Sequence, residues 1–200
     1  MFELLHRYLS VVARFLPFAL AFLRDRHRFL LLGPGRRVDE TAHRQRAERI
    51  RDTLLDLGPA FIKIGQVLST RPDLVPQTYA EVFGTLQDEI PEDAGGDPQT
   101  VLREELGDDV DLSTLEPIAG GSLAFVYTVR YEGERIALKV RRPGVKPLIE
   151  RDLRVIRRLL PLISLFVDER QRYSLRNAAD DFEEIILDEL DFDREGAIMS

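Results

Sequence analysis

The feature that most constrains the fold is a change in hydrophobic pattern near residue 114. On either side of a central stretch, apolar residues recur at the spacing of helices, whereas between residues 114 and 140 they alternate with polar ones. The alternating runs are L-E-P-I-A, L-A-F-V-Y-T-V-R-Y and R-I-A-L-K-V, and Glu132-Gly133-Glu134 separates the last two. This pattern predicts three short antiparallel strands set between helical segments, which is an α+β arrangement.

Helices are predicted before and after the strands, with Pro at their starts and Gly at their ends. The predicted spans are residues 39–57, 59–71, 76–87, 97–107, 145–167 (bent at Pro161) and 174–190, with a further helix from Asp191. Residues 1–32 are apolar with interspersed Arg, but the longest uninterrupted apolar run, residues 15–23, is shorter than the roughly 20 residues of a spanning helix. Pro17 is also expected to kink a helix here, so an amphipathic helix pair is predicted, with two alternatives: it lies on an anionic membrane surface, or it docks on the rest of the protein.

Charge is distributed unevenly along the chain. Residues 1–51 carry 11 Arg and 5 acidic residues, whereas the remainder has a net charge of −13, and the total is −7. An acidic body argues against a nucleic-acid-binding protein. The chain has no Cys, and its three His all lie in the first 43 residues without ligand spacing, so no metal site is predicted.

Lysine is rare, with three residues against 25 Arg. Because a compact ammonium and a planar guanidinium are not interchangeable, Lys63, Lys139 and Lys146 are candidates for specific roles, although their retention by chance is an open alternative.

The loop between the first two strands carries small residues, A-G-G-S-L-A-F-V, and the third strand contains I-A-L-K. This order matches the kinase pattern of a glycine-rich loop followed by a strand lysine, in which backbone N–H groups and the ammonium approach the phosphates. The alternative is a plain β-meander with a Gly-Gly bulge. The predicted cofactor is ATP, and the predicted cofactor-binding residues are Ala119, Gly120, Gly121, Ser122, Val126, Ala137 and Lys139.

The stretch F-I-K-I-G-Q-V-L-S-T-R-P-D-L-V-P resembles the K-x-G-Q signature of the UbiB (ADCK) family of atypical kinases or ATPases of ubiquinone biosynthesis. The order K-x-G-Q, small-residue loop, strand lysine, R-P-G and E-L-D-F covers residues 55–200, about three quarters of the chain. The resemblance implies an α+β fold in which a helical N-terminal extension precedes a kinase-like N-lobe, with the C-lobe absent. The domains then divide at residues 1–35, 36–112 and 113–200.

The resemblance also implies site residues, given as catalytic candidates. Lys63 and Gln66 would lie over the ATP site, and the acidic pair Glu189 and Asp191 would lie near Lys63. Glu195, 56 residues after Lys139, would pair with that strand lysine. The alternative for the three acidic residues is a solvated acidic helix.

Two departures from the family pattern accompany the resemblance. Gly120 and Gly121 replace alanines of an alanine-rich loop, and Ala124-Phe125 replaces Gly-Gln. No catalytic loop or metal-binding triplet precedes residue 200, and Asp191-Phe192-Asp193 is rejected as one because no catalytic loop precedes it. The chain is therefore expected to be a fragment, a truncated gene product or one half of a split protein that corresponds to the N-terminal part of the family. It is expected to be inactive alone, with Mg²⁺ held only in the presence of the C-lobe.

Three functions are compatible with these patterns. The first is the N-terminal portion of an atypical kinase or ATPase that binds nucleotide and that the resemblance links to isoprenoid-quinone or lipid metabolism. The second is a non-catalytic docking module that binds an anionic membrane surface or lipid through residues 1–32. The third is a scaffold without nucleotide. The expected location is cytoplasmic or peripheral on the membrane, and no nucleic-acid partner is expected.

Overall fold

A computed structural model describes residues 2–25, 39–87, 102–103, 111–131, 133–164 and 169–191. These residues form six α-helices and a three-stranded antiparallel sheet, which confirms the predicted α+β class and the resemblance to a helical extension joined to a kinase-like N-lobe. Four helices precede the sheet and two follow it. They are α1 Phe2–Asp25, α2 Glu40–Leu57, α3 Pro59–Ser69, α4 Gln77–Gly84 with a 3₁₀ turn Thr85–Gln87, α5 Val145–Ser164 and α6 Glu169–Leu190.

Local chemistry sets the boundaries of α2 and α3. The carboxylate of Asp39 accepts a hydrogen bond from the Ala42 N–H at 2.7 Å and caps the start of α2. Gly58 has φ +95°, a conformation that favours glycine, and its N–H donates to the carbonyls of Leu54 and Leu55. Pro59 then occupies the first turn of α3, where the missing N–H costs no helical bond.

The predicted helices 39–57, 59–71 and 76–87 are confirmed within about two residues when the 3₁₀ turn after α4 is included. α6 starts at Glu169, five residues before the predicted start at residue 174, because residues 169–173 contain no helix breaker. α5 continues through Pro161 to Ser164. The helix predicted over 97–107 lies outside the described residues except for Leu102 and Arg103, which are helical, as does the final predicted helix except for Asp191, which follows the end of α6.

The sheet has the strand order β1-β2-β3, with β1 Asp111–Gly120, β2 Ala124–Tyr131 and β3 Glu134–Arg141. Its first strand begins three residues before the predicted start. The β2–β3 turn contains Gly133 with φ +90°. Pro117 pairs with Tyr127 and Ala119 with Val126, so Ile118 is an extra residue that forms a bulge in β1.

The hydrophobic core lies mainly among the helices. All six helices contribute buried side chains to it, and Leu123 from the β1–β2 loop joins them at 2% exposure. A smaller cluster, formed by Leu102, Phe125, Tyr127 and Val140, covers one face of the sheet. The opposite face of the sheet has no such cover in the described part of the chain, and this leaves one face open.

α1 is a single helix through Pro17, which corrects the predicted helix pair for residues 2–25. It packs on the body through Val11, with Tyr8 and Phe15 beside the core. Arg7 binds the buried carboxylate of Asp152 through two hydrogen bonds of 2.7 and 2.8 Å. α1 therefore docks on the rest of the protein through one face, which is one of the two predicted alternatives.

The outer face of α1 is apolar and exposed. The large side chains on it are Phe2, Leu5, Leu9, Leu16 and Leu20. By length and composition alone, the stretch 2–22 is long and apolar enough to cross a membrane, which the uninterrupted apolar run did not predict.

Candidate nucleotide-binding site

Three of the predicted cofactor-binding residues form a row across the open face of the sheet. Val126 lies opposite Lys139 on β3 and opposite Ala119 on β1. Residues directly opposite each other in an antiparallel pair project on the same side, so Ala119, Val126 and Lys139 share one face. Ala137, paired with Thr128, lies two residues further along the same face.

The open face suits a nucleotide because its side chains are small near the lysine. Ala119, Ala137 and Lys139 are exposed, and Val126 is half-buried. The buried face of the same strands carries Phe125, Tyr127 and Val140 instead. A planar base against Val126 and Ala137 would therefore meet little steric hindrance, and Lys139 projects from the same face of the sheet.

The glycine-rich loop is held at several points rather than projecting freely. The Gly121 N–H donates to the Ala124 carbonyl at 2.8 Å, which closes the turn between β1 and β2. Ser122 is 7% exposed, and Leu123 inserts into the helical core. A Cβ on Gly121 would lie 3.2 Å from the Ala124 carbonyl oxygen, so glycine suits this close backbone approach.

Arg142 lies behind this loop. Its Nε donates to the Gly121 carbonyl at 2.9 Å, and its backbone N–H donates to the Leu123 carbonyl at 2.9 Å. The guanidinium carbon is 3.9 Å from the centre of the Phe125 ring, which is a cation–π contact. Burial lowers the pKa of Arg142, but a guanidinium remains charged at all ordinary pH values.

The K-x-G-Q lysine contacts the acidic residue implied by the resemblance. The Lys63 Nζ forms an ion pair with Glu189 Oε2, and both side chains are partly buried. Asp191, the second member of the acidic pair, is exposed just beyond α6, and its N–H donates to the Asp188 carbonyl. Glu195 lies outside the described residues.

Gly65 and Gln66 join α3 to the helices beside it. A Cβ on Gly65 would overlap the Leu86 side chain and lie 3.0 Å from Leu54 Cδ1, so the close packing of α3 requires glycine. The Gln66 Nε2 donates to the Leu86 carbonyl at 3.0 Å. The side chain of Gln66 is therefore bonded within the helical extension.

A further bond connects α6 to the sheet. Arg141, two residues after Lys139, donates to the Leu190 carbonyl at 2.8 Å. Leu190 is the neighbour of Glu189, the partner of Lys63. The end of α6 thus contacts both the K-x-G-Q helix and the strand that carries Lys139.

The sequence pattern missed the roles of Arg141 and Arg142. The stretch R-P-G contributes to the sequence-based prediction only as part of the family's motif order. The available signal is a pair of arginines that begins two residues after the strand lysine, but the partners of Arg142 and Arg141, Gly121 and Leu190, are 21 and 49 residues away. Among the described residues, no group of three or more metal-ligating side chains is positioned to hold a metal ion.

Comparison with protein families identifies the family to which the chain belongs. A family model described as the ABC1 atypical kinase-like domain matches residues 85–200, more than half of the chain. The chain belongs to the ABC1 atypical kinase-like family. The match includes all three strands, the loop and both helices that follow, whereas α1 to α4 precede it.

Curated relatives of the family match a larger part of the chain. A probable protein kinase UbiB from Aeromonas salmonicida is 40% identical over 161 residues, 76% of this chain and 29% of the relative. The protein of the same name from Azotobacter vinelandii is 38% identical over 169 residues, 82% of this chain and 31% of the relative. A third relative, from Arabidopsis thaliana, is named "Protein ACTIVITY OF BC1 COMPLEX KINASE 1, chloroplastic". It is 36% identical over 160 residues, 77% of this chain and 24% of the relative. The chain spans less than a third of each of these three relatives.

Proposed function

We propose that the chain binds ATP between the open face of the sheet and the glycine-rich loop, as the nucleotide-binding part of an atypical kinase or ATPase. The observation that carries this proposal is the row formed by Ala119, Val126 and Lys139 on one face, beside the loop. Small residues on that face admit the nucleotide, and the ammonium offers charge-assisted hydrogen bonds to its phosphates. ATP supplies a transferable γ-phosphoryl group, and these residues bind and orient it.

The Lys63–Glu189 contact supports the same proposal. It positions the helical extension next to α6, which is in turn bonded to β3 through Arg141. The nucleotide face therefore belongs to a unit that includes the extension. On the resemblance to the UbiB family, we further propose that the protein serves isoprenoid-quinone or related lipid metabolism.

Nucleotide titration of the protein expressed from its complete reading frame tests the proposal. Lys139→Ala is expected to weaken ATP binding about tenfold to a hundredfold, because a charged hydrogen bond contributes about 1.5–3 kcal/mol. Lys146→Ala is the matched control, since Lys146 is an exposed lysine in the first turn of α5. Equal ATP affinity of the wild-type and Lys139→Ala proteins would contradict the assignment.

A second candidate function is docking on an anionic membrane surface, which the exposed apolar face of α1 favours. Leu5, Leu9, Leu16 and Leu20 are each about half exposed, and residues 1–51 carry a net charge of +6. An apolar face within a basic segment is the composition of interfacial helices. Because its other face packs on the body, α1 would lie on the membrane surface, which corresponds to a cytoplasmic, peripheral location.

Flotation with phosphatidylglycerol vesicles tests this second function. The wild-type protein is expected to float with anionic vesicles and to be released by high salt, whereas a Leu9→Glu/Leu16→Glu variant remains at the bottom of the gradient. Leu162→Glu is the control, because Leu162 is equally exposed but lies at the end of α5. Failure of the wild-type protein to float would remove this candidate.

A further inference from the structure

We propose that Arg142 is a positioning residue that orients the Ser122 N–H toward nucleotide phosphate, an inference that rests on the proposed ATP site. Arg142 is 3% exposed and does not lie on the open face of the sheet. It acts on the loop through the Gly121 carbonyl, which accepts a hydrogen bond from Nε at 2.9 Å.

The direction of this bond follows from the alternation of side chains in β3. Val140 belongs to the buried face, and Arg142 follows it at the same parity, with its guanidinium against the buried Phe125 ring. The Gly121 carbonyl that meets the guanidinium therefore points toward the buried side of the sheet.

Peptide geometry then determines the orientation of the next amide. In a trans peptide the C=O and the following N–H point in opposite directions, and the described residues contain no cis peptide. When Arg142 holds the Gly121 carbonyl on the buried side, the Ser122 N–H points to the open face, where Lys139 lies. A backbone N–H in that orientation is a donor for a phosphate oxygen.

Within the described part of the chain, the other backbone and core contacts of the loop are made at its two ends. The Gly121 N–H is engaged by Ala124, and Leu123 is anchored in the core. The carbonyl between them has Arg142 Nε as its donor. Glycine at position 121 allows the peptide to rotate readily, so the Arg142 bond selects one orientation before the nucleotide arrives and lowers the ordering cost of binding.

Arginine is required for this geometry. Its planar guanidinium stacks on the Phe125 ring while Nε donates in the plane to Gly121, two contacts that a lysine ammonium does not make together. Arg142→Lys thus retains the charge and removes the directed bond. Arg157→Lys is the matched control, since Arg157 lies on the exposed surface of α5 and pairs with Glu183.

Binding of ADP and of adenosine to the protein expressed from its complete reading frame, followed by calorimetry and by ¹⁵N amide shifts, tests the inference. Arg142→Lys is expected to lower ADP affinity about tenfold while adenosine affinity is unchanged, because only the phosphate contact is lost. The Ser122 amide resonance is expected to shift with ADP in the wild-type protein and much less in Arg142→Lys. A purely structural defect would instead lower the affinity for both ADP and adenosine.

The outcomes separate this inference from the proposed function. Reduced ADP affinity in Lys139→Ala with wild-type affinity in Arg142→Lys would overturn the inference alone. A wild-type protein that does not bind ADP would overturn the nucleotide site and this inference with it. If Arg142→Lys does not fold, Phe125→Leu is tested instead, because it removes the ring that orients the guanidinium. A twofold to fourfold loss of ADP affinity with unchanged adenosine affinity supports the positioning role of Arg142. Unchanged ADP affinity overturns it.

Discussion

Gly65 lies where the packing of α3 leaves no space for a side chain. A methyl group there would overlap Leu86, which is fully buried, and would touch Leu54. Overpacking typically costs about 1–3 kcal/mol, and the higher helix propensity of alanine offsets up to about 1 kcal/mol of that. Gly65→Ala is therefore expected to lower the free energy of unfolding by about 1–2 kcal/mol in urea denaturation.

Gly84 supplies a matched control for that substitution. It is also a helical glycine, at the end of α4, but a Cβ built on it meets nothing within 4 Å. Gly84→Ala is expected to leave stability unchanged or to raise it slightly. If both alanines had the same effect, close packing would not be the reason for glycine at position 65.

Asp73 has the clearest perturbed pKa of the described residues. Two hydrogen bonds of 2.9 Å from the Arg71 guanidinium lower the pKa of its carboxyl to about 2. A carboxyl with a lowered folded-state pKa stabilises the protein above its unfolded pKa of about 3.9 and loses that contribution as pH falls toward 2. The melting temperature of the wild-type protein is thus expected to exceed that of Asp73→Asn near pH 5.

This difference in melting temperature is expected to shrink as pH falls from about 4 to 2, measured by circular dichroism. Asp56→Asn is the control, because Asp56 is 75% exposed and its partner Arg14 is 3.8 Å away. A constant difference between wild-type and Asp73→Asn across this pH range would show that the Arg71–Asp73 pair does not couple to folding.

At the scale of elements, α1 is attached to the body by a buried charge pair. Asp152 on α5 is 0% exposed, and Arg7 also donates to the Leu57 carbonyl at the end of α2. Arg7→Ala would leave a buried carboxylate without its cation, which typically costs about 3–5 kcal/mol, whereas Arg7→Met/Asp152→Leu removes both charges and is expected to cost less. Denaturant unfolding measures both variants.

Arg14→Ala on the same helix is the control, with an expected change within about 1 kcal/mol because its pair with Asp56 is exposed. If Arg7→Ala and Arg14→Ala were equally stable, the buried pair would not be what holds α1. Accelerated hydrogen exchange of α1 amides in Arg7→Ala alone would locate the effect at this helix.

Most elements could be predicted because their signals are local. Asp39 and Gly58 mark the start and the end of α2, Pro59 marks the start of α3, and alternation marks the three strands. The helix through Pro17 could not be predicted in this way, because proline is a local helix-breaking signal, whereas α1 is also held by tertiary contacts of Tyr8, Val11 and Phe15 with the core. Propensity rules do not include such contacts.

At the scale of the whole molecule, a contact between two site residues could be predicted only where both residues belong to a recognisable sequence pattern. The row of Ala119, Val126 and Lys139 followed from strand pairing, and the Lys63–Glu189 contact from the family resemblance. Arg142 was missed because its partner, Gly121, is 21 residues away and is contacted through a backbone carbonyl that has no sequence signature.

The Lys63–Glu189 pair is one of the described polar links between the extension and α6, and Arg71–Asp181 at 3.8 Å is another. Because its side chains are only 18% and 32% exposed, solvent screens it less than a surface pair. A double-mutant cycle with Lys63→Met and Glu189→Gln, measured by urea unfolding, is expected to give a coupling energy of about 1–2 kcal/mol.

The exposed Arg44–Glu48 pair on α2 provides the comparison, with an expected coupling of about 0.3–0.5 kcal/mol for an i,i+4 surface contact. If the Lys63–Glu189 coupling energy were as small as this, the ion pair would not join the extension to the sheet-bearing part. Apolar packing in the helical core would then connect them. A larger coupling energy means that the ion pair holds the K-x-G-Q helix on the end of α6, where the Leu190 carbonyl accepts the hydrogen bond from Arg141 of β3.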